Sequence, residues 1–362
     1  MNKPKICLIY TGGTIGMVRT ETKGGGYILK PPENPDDFLK SLNAGVAISD
    51  IAELDFVSLM NKDSTNMVPS DWTKMAKAVY ERRNEGFDGF VIAHGTDTMH
   101  FSASALAFAF GRNLNFPIVF TGAQTTPDVT HGDARVNLLR AVRVAGENLA
   151  EVVVAFGDYV FRGCRVQKKD EKRFDAFESP AEFPLGYITE EIVLNPECDK
   201  RIENPDEIVF RPDFSDGVVQ ISLIPGLKPK ILEPILDDPE CRGIVLQSFG
   251  AGNVPNDGDY SFKNFIQKAT RNNIPVVIAS QFPANSTLYS HYAPGVEAVE
   301  AGAIPTGNMT NAAATVKFRW VLSLVDGEIH RNERAQNKKM EAVREMMEEV
   351  HVHEMTKVKP KS

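Results

Sequence analysis

Cysteine is scarce: Cys7, Cys164, Cys198 and Cys241 are the only four in 362 residues, and none stands in a CxxC spacing. That usage argues against a disulfide framework and against a zinc site, and it fits a reducing, cytoplasmic setting. Long apolar runs are also missing. The run at 6–10 is too short for a signal-peptide core, and nothing approaches the roughly 20 apolar residues of a membrane helix, so neither secretion nor membrane insertion is expected. Basic residues are outnumbered, 40 Lys and Arg against 48 Asp and Glu, for a net charge of −8. A nucleic acid or an anionic membrane would favour a clustered excess of cations, so neither is expected as a partner and a small molecule becomes the expected ligand.

What is present is an ordinary globular mixture, 42% hydrophobic and 24% charged, long enough for two domains with real cores. Short apolar runs at 6–10, 56–60, 89–93, 118–121 and 152–156 read as buried strands. Helical patterns lie between them. One opens at Ser70 as N-cap and runs through Trp72, Met75, Ala76, Val79 and Tyr80 to Gly86; another starts near Asp133 and carries Val136, Leu138, Leu139 and Val142. The alternation predicts an α/β fold with a mostly parallel sheet flanked by helices. A Pro- and acid-rich stretch at 191–217 reads as a linker. Beyond it the alternation resumes at 218–224, 243–249, 262–271 and 276–280. The expected organisation is therefore a larger N-terminal domain at 1–190, a linker at 191–217, a smaller C-terminal α/β domain at 218–330, and a charged helical tail at 331–362. Met340, Val343, Met347 and Val350 give that tail one apolar face, as on a surface or interface helix.

In open α/β sheets ligands bind beyond the carboxyl ends of the strands. That rule selects Thr14 after the first strand, Ser64 and Thr65 after the second, Thr96 and Asp97 after the third, 122–124 after the fourth and 162–169 after the fifth. The segment Thr11-Gly12-Gly13-Thr14-Ile15-Gly16 lacks the Lys of a P-loop and the G-x-G-x-x-G register, which speaks against a nucleotide cofactor. It is either a glycine turn bonding its own backbone or a place of close substrate approach. In His94-Gly95-Thr96-Asp97-Thr98 the hydroxyls and carboxylate are either helix N-caps or groups that orient a substrate anion or oxyanion. A hydroxyl nucleophile needs a proton acceptor. Lys168 and Lys169 are candidates if partly desolvated and a solvated charge run otherwise; Tyr27, after three glycines, is either a flap residue or an ordinary loop tyrosine.

The two threonine segments, in this order and at this separation, resemble the signature segments of the bacterial-type L-asparaginase family, and the likeness extends over almost the whole chain. The segment Phe174-Asp175-Ala176-Phe177-Glu178-Ser179-Pro180 is similar to the cytoplasmic type I branch. The resemblance implies hydrolysis of L-asparagine to L-aspartate and ammonia, with no cofactor and no metal. In it Thr14 matches the nucleophile and Tyr27 the flap tyrosine. Thr96, Asp97 and Lys168 match the hydrogen-bonded activating group, with Lys169 as second choice for the lysine. Ser64 matches the binder of the substrate α-carboxylate, with Asp63, Thr65 and Gly95 beside it. Asp97 also matches the binder of the α-ammonium, and Ala123 offers its carbonyl to the leaving amide. The oxyanion would be held by main-chain N–H groups of the glycine turn or of Thr96. A homodimer or homotetramer is implied as well.

The departures carry information. Where several type I relatives have a threonine and an arginine at a regulatory asparagine site, this chain has Gln167 and Gln247, so control by that route is not expected. Ala312 replaces a glutamate common among relatives, and His351 and His353 are expected to be solvated rather than to bind metal. Two rivals remain. The glutaminase or ammonia-supplying subunit of a tRNA-dependent amidotransferase shares both threonine motifs but carries an extra N-terminal domain, and here the first strand starts near Lys5. A non-catalytic amino-acid sensor would have lost the nucleophile or the lysine, and both are present.

Overall fold

The computed structural model describes residues 3–30, 38–41, 45–282, 293–331 and 338–356. They form two compact units, Met1–Pro212 and Asp213–Ser362.

The first unit contains strands β1 (Lys5–Gly12), β2 (Val18–Glu21), β3 (Tyr27–Lys30), β4 (Glu53–Lys62), β5 (Gly89–Ala93), β6 (Ile118–Thr121), β7 (Val152–Phe156), β8 (Tyr159–Arg162), β9 (Gln167–Lys168), β10 (Phe177–Glu178), β11 (Gly186–Ile188) and β12 (Ile192–Leu194). Its helices are α1 (Phe38–Ser41), α2 (Gly45–Ile51), α3 (Pro69–Arg82), α4 (Met99–Phe110) and α5 (Ala134–Ala145). The main sheet has the order β12-β11-β8-β7-β6-β5-β1-β4. The five strands expected from the apolar runs, β4, β1, β5, β6 and β7, are mutually parallel. Residues 6–10 and 90–93 are fully buried, which is why these strands read as continuous rather than alternating apolar runs. The edge β8-β11-β12 is antiparallel. Residues 192–194, within the stretch read as a linker, form its last strand.

The helix expected with Ser70 as its N-cap begins two residues earlier, with Pro69 at its first position and Val68 as N-cap. The Asp71 carboxylate accepts the Val68 N–H at 3.2 Å, so the orphan donor is satisfied by a residue inside the first turn rather than by Ser70.

The second unit is built on a parallel sheet, β13 (Val218–Ser222), β14 (Gly243–Ser248), β15 (Val276–Ser280) and β16 (Ile304–Pro305), in that order. Its helices are α6 (Lys263–Arg271), α7 (Ala293–Glu300), α8 (Asn311–Arg331) and α9 (Lys339–Glu348). Phe262, Phe265 and Ile266 pack with Leu246 and Ile278 in its core, and Phe318 of α8 is also fully buried.

The charged C-terminal segment is more deeply packed than a solvated tail. Val343 and Met347 are fully buried, and His351, expected in solvent, lies edge-on to Trp320 at 5.0 Å and contacts the Met346 carbonyl. An ion pair ties the segment to α8. Lys317 of α8 and Glu354 are both 0% exposed and 2.7 Å apart. The three ammonium donors of Lys317 go to Glu354 and to the carbonyls of Met347 and Glu349. The Glu354 carboxylate also accepts the N–H groups of His351 and Val352. Burial is the largest single influence and would raise the Glu354 carboxyl, but the Lys317 charge and hydrogen bond and the backbone N–H groups together outweigh it and hold the group below its usual range.

Removing one partner of such a pair leaves an uncompensated buried charge. Lys317→Met is therefore expected to lower stability by about 3–5 kcal/mol, and Lys317→Met with Glu354→Leu by much less, as read from urea midpoints. Equal losses in the single and the double variant would contradict the pairing.

Candidate active site

In the strand order β4-β1-β5-β6-β7 the direction of chain progression reverses between β1 and β5, so the crevice of this sheet opens at their carboxyl ends. Thr14 follows β1 and Gly95 to Asp97 follow β5. The two turns touch backbone to backbone. A β-carbon on Gly13, whose φ of 89° favours glycine, would fall 2.3 Å from the Gly95 nitrogen, and one on Gly95 would fall 2.6 Å from the Cβ and Oγ of Ser64. The ends of β1, β4 and β5 thus converge. The Ser64 carbonyl accepts the Thr98 hydroxyl at 2.7 Å, which ties the β4 turn to the β5 turn. Ser64 itself is 3% exposed, whereas Asp63 and Thr65 are exposed. Asp63 caps the short turn Ser64–Asn66, accepting both the N–H and the hydroxyl of Thr65 at 2.9 Å, so the Thr65 hydroxyl is already engaged.

The Lys168 ammonium donates to the Thr96 hydroxyl at 2.8 Å and to the Asp97 carboxylate at 2.6 Å. Lys168 is largely buried and Asp97 largely exposed, 13% against 55% of the side chain. Lys169 turns to Asp175 instead, at 3.4 Å. The Thr96 hydroxyl in turn donates to the Gln124 side-chain oxygen at 3.1 Å. Gly122 packs on the same group: a β-carbon there would fall 2.4 Å from the His94 carbonyl and 3.4 Å from the Thr96 methyl. The neighbouring Ala123 is 1% exposed. Behind this turn the buried Asp133 carboxylate collects the N–H groups of Gln124 and Thr125 and the Asn137 amide.

Thr14 is half-buried on a single 3-10 turn, Thr14–Gly16, and among the described residues its hydroxyl and its N–H take no hydrogen bond. The same holds for the Ser64 hydroxyl and for the N–H groups of Gly95 and Thr96. The Gly13 N–H, by contrast, is committed to the Lys62 carbonyl at 3.1 Å. The structure therefore brings together Thr14, Ser64, Gly95, Thr96, Asp97, Ala123 and Lys168. It does not bring Tyr27 to them. Tyr27 sits on the β2–β3 hairpin, 58% exposed, with its ring under the Arg19 guanidinium at 4.8 Å and no hydrogen bond to Thr14 among the described residues. Among those residues no group of three or more His, Cys, Asp or Glu could hold a metal, and no helix is long and apolar enough to cross a membrane.

Sequence reasoning gave no role to Gln124, Asp133 or His94. His94 is fully buried. Its Nδ1–H donates to the Gly95 carbonyl at 2.7 Å, which leaves Nε2 to accept the Ser102 hydroxyl at 2.9 Å. Burial pushes its imidazole down to about 4, as it does for His100, the second residue of α4, where Lys168 adds to the effect.

Fold and geometry define a two-unit α/β protein with a hydroxyl, lysine and carboxylate crevice at the switch point of its larger sheet. The family model "Asparaginase, N-terminal" matches residues 5–199, and "Glutaminase/Asparaginase C-terminal domain" matches 217–332. The L-asparaginase of Thermococcus kodakarensis is 35% identical over 320 residues, covering 88% of this chain and 92% of that protein. A glutamyl-tRNA(Gln) amidotransferase subunit of Methanothermobacter thermautotrophicus is 33% identical over 330 residues, covering 89% of this chain and 73% of that protein. Among solved structures, the thermostable T. kodakarensis L-asparaginase superimposes with a TM-score of 0.81 at 32% identity, and L-asparaginase I from Vibrio cholerae with 0.81 at 28%; each comparison covers 98% of this chain and 100% of the other. The chain belongs to the asparaginase family.

The buried imidazoles set a pH dependence. His94 titrates near 6.5 when unfolded and near 4 when folded, so between those values the unfolded chain binds the extra proton. Stability should fall as pH drops from 6.5 to 4 and the dependence on this group should level off below 4. The full effect is at most roughly 3 kcal/mol, since one unit is about 1.4 kcal/mol. Urea midpoints for wild type and His94→Gln at pH 7 and pH 4.5 check this: the variant should be less stable at pH 7 and should lose less on acidification. An equal loss in both proteins would refute the assignment.

Proposed function

We propose that the protein hydrolyses L-asparagine to L-aspartate and ammonia, with Thr14 as nucleophile. The observation that carries this reading is the Lys168–Thr96–Asp97 group, whose Thr96 and Asp97 follow Gly95 on the turn that Gly13 touches, together with a half-buried Thr14 hydroxyl that no other group engages among the described residues. The substrate's α-carboxylate is taken by the Ser64 hydroxyl, with Asp63, Thr65 and Gly95 around it, and its α-ammonium by Asp97. A zwitterion is matched by this pairing of an acceptor with oriented donors.

Attack by Thr14 Oγ1 on the side-chain carbonyl forms a C–O bond. The Thr14 proton passes through the Thr96 and Lys168 group toward the amide nitrogen, which leaves as ammonia past the Ala123 carbonyl. The oxyanion is stabilised by the uncommitted N–H groups of Thr14, Gly95 or Thr96; the Gly13 N–H, bound to Lys62, does not serve. Water then attacks the β-aspartyl ester, giving its proton to the same group, and Thr14 is released. Tyr27 joins only if the β2–β3 hairpin moves its phenol toward Thr14. The protein works in the cytoplasm as a homodimer or homotetramer, without a cofactor.

A second reading is supported by the likeness to the amidotransferase subunit, on which glutamine would be the amide and a partner protein the consumer of ammonia. Ammonia release from asparagine and from glutamine separates the two. Wild type should act on asparagine alone in solution, while Thr14→Ala and Lys168→Met lose at least about 100-fold in kcat. Full activity of Thr14→Ala would end the nucleophile reading, and activity on glutamine only would favour the second.

The saturation curve should be hyperbolic. Gln167 donates its amide to Glu178 at 3.0 Å and Gln247 accepts the Ser222 hydroxyl, so neither supplies the hydroxyl or the guanidinium that the regulatory site of several type I relatives uses. A sigmoidal asparagine curve would overturn this expectation.

A further inference from the structure

We infer that Gln124 is a positioning residue of the Thr96–Lys168 group, acting through both ends of its amide; the inference rests on the activity proposed above. Its oxygen accepts the single proton of the Thr96 hydroxyl at 3.1 Å. With that proton committed, only oxygen lone pairs of Thr96 face the Lys168 ammonium, which donates to them at 2.8 Å. The direction of the hydroxyl is therefore set by Gln124. The amide nitrogen reaches the other way, donating to the carbonyls of Asp170 and Arg173 at 3.3 Å each.

Those carbonyls belong to the turn that leads from Lys168 to the returning strand β10. The turn has its own internal ties: Asp170 accepts the N–H groups of Lys172 and Arg173, and the Lys169 N–H reaches the Ala176 carbonyl. Gln124 ties this turn to the crevice. Its own main chain is held in place by the Asp133 carboxylate, which receives the Gln124 N–H at 2.9 and 3.1 Å. One amide thus couples three strand ends, β5 through Thr96, β6 through its own backbone, and β9 through the turn after Lys168. A primary amide suits the position because it alone offers an acceptor and two donors on one planar group without charge.

The test compares Gln124→Leu, which removes both ends, with Gln124→Glu, which keeps an acceptor for Thr96 and loses the donors. Asparagine kinetics and amide hydrogen exchange of the segment 169–176 are measured on the full chain. Gln124→Leu should lower kcat by about 10- to 100-fold with KM changed less than about threefold, because a misdirected group, rather than a lost substrate contact, is what it leaves. Exchange across 169–176 should quicken in both variants, and Gln124→Glu should retain a kcat between wild type and Gln124→Leu. A kcat within twofold of wild type for Gln124→Leu, or unchanged exchange in that segment, overturns the inference, as does a loss carried wholly by KM. If wild type itself releases no ammonia from asparagine, the proposed function fails on its own. Exchange then still decides the tether: quickened, it stands; unchanged, it falls.

Discussion

The site depends on one steric constraint, the backbone contact between the turn after β1 and the turn after β5. A side chain at Gly13 would overlap the main chain at His94 and Gly95, and one at Gly95 would overlap Ser64. Only because both positions carry hydrogen alone do three parallel strands end within contact of one another. Thr14, the residue after Gly13, then stands at the mouth of the switch point, and the chain turning away on a single 3-10 turn leaves its hydroxyl uncommitted among the described residues. His94 supports the same contact from below. A neutral ring locked between the Gly95 carbonyl and Ser102 fixes the peptide that Gly13 rests on.

The lysine arrives by a different route. Lys168 belongs to none of the parallel strands; it lies on a two-residue antiparallel ladder in which Phe177 is its partner. Phe177 is buried against Phe156, at the carboxyl end of β7, with ring centroids 4.9 Å apart. Apolar packing on the main sheet thus anchors the ladder, and the ladder carries the ammonium to Thr96. The antiparallel edge of the sheet has a comparable internal support, the buried Arg162–Glu151 pair at 2.7 Å, with Glu182 at 3.0 Å on the same guanidinium.

How far the sequence reveals this differs from region to region. Strands buried on both faces are written as unbroken apolar runs, so 6–10, 89–93, 118–121 and 152–156 were legible, and the strand-end rule then selected Thr14, Ser64, Thr96 and Asp97 without any relative. The antiparallel strands β8 to β12 were not legible, because two to four residues show no period. Gln124 lay within 122–124, which the strand-end rule selected, but its role was not legible. Its amide bonds carbonyls 46 and 49 residues further on, and carbonyls leave no mark in side-chain identity. In the C-terminal segment the apolar face with Val343 and Met347 was legible, but the burial of His351 was not, because Lys317 and Glu354 are charged; residues of that kind are almost never fully buried, and the exception appears only when the partner is found. Tyr27 was legible as a residue after a glycine run, but a glycine run says that a hairpin can move, not where its tyrosine rests.

On the proposed reading, the resting geometry also links substrate binding to the lysine. Lys168 donates to both Thr96 and Asp97, and Asp97 is the more exposed of the two partners. A substrate's α-ammonium binding at Asp97 would share the carboxylate that, among the described residues, now faces Lys168. Substrate binding and the hydrogen bonding of the lysine are therefore coupled through one carboxylate. Gln124 fits the same logic: at rest it takes the Thr96 proton on its amide oxygen and so keeps the Thr96 lone pairs turned to the Lys168 donor.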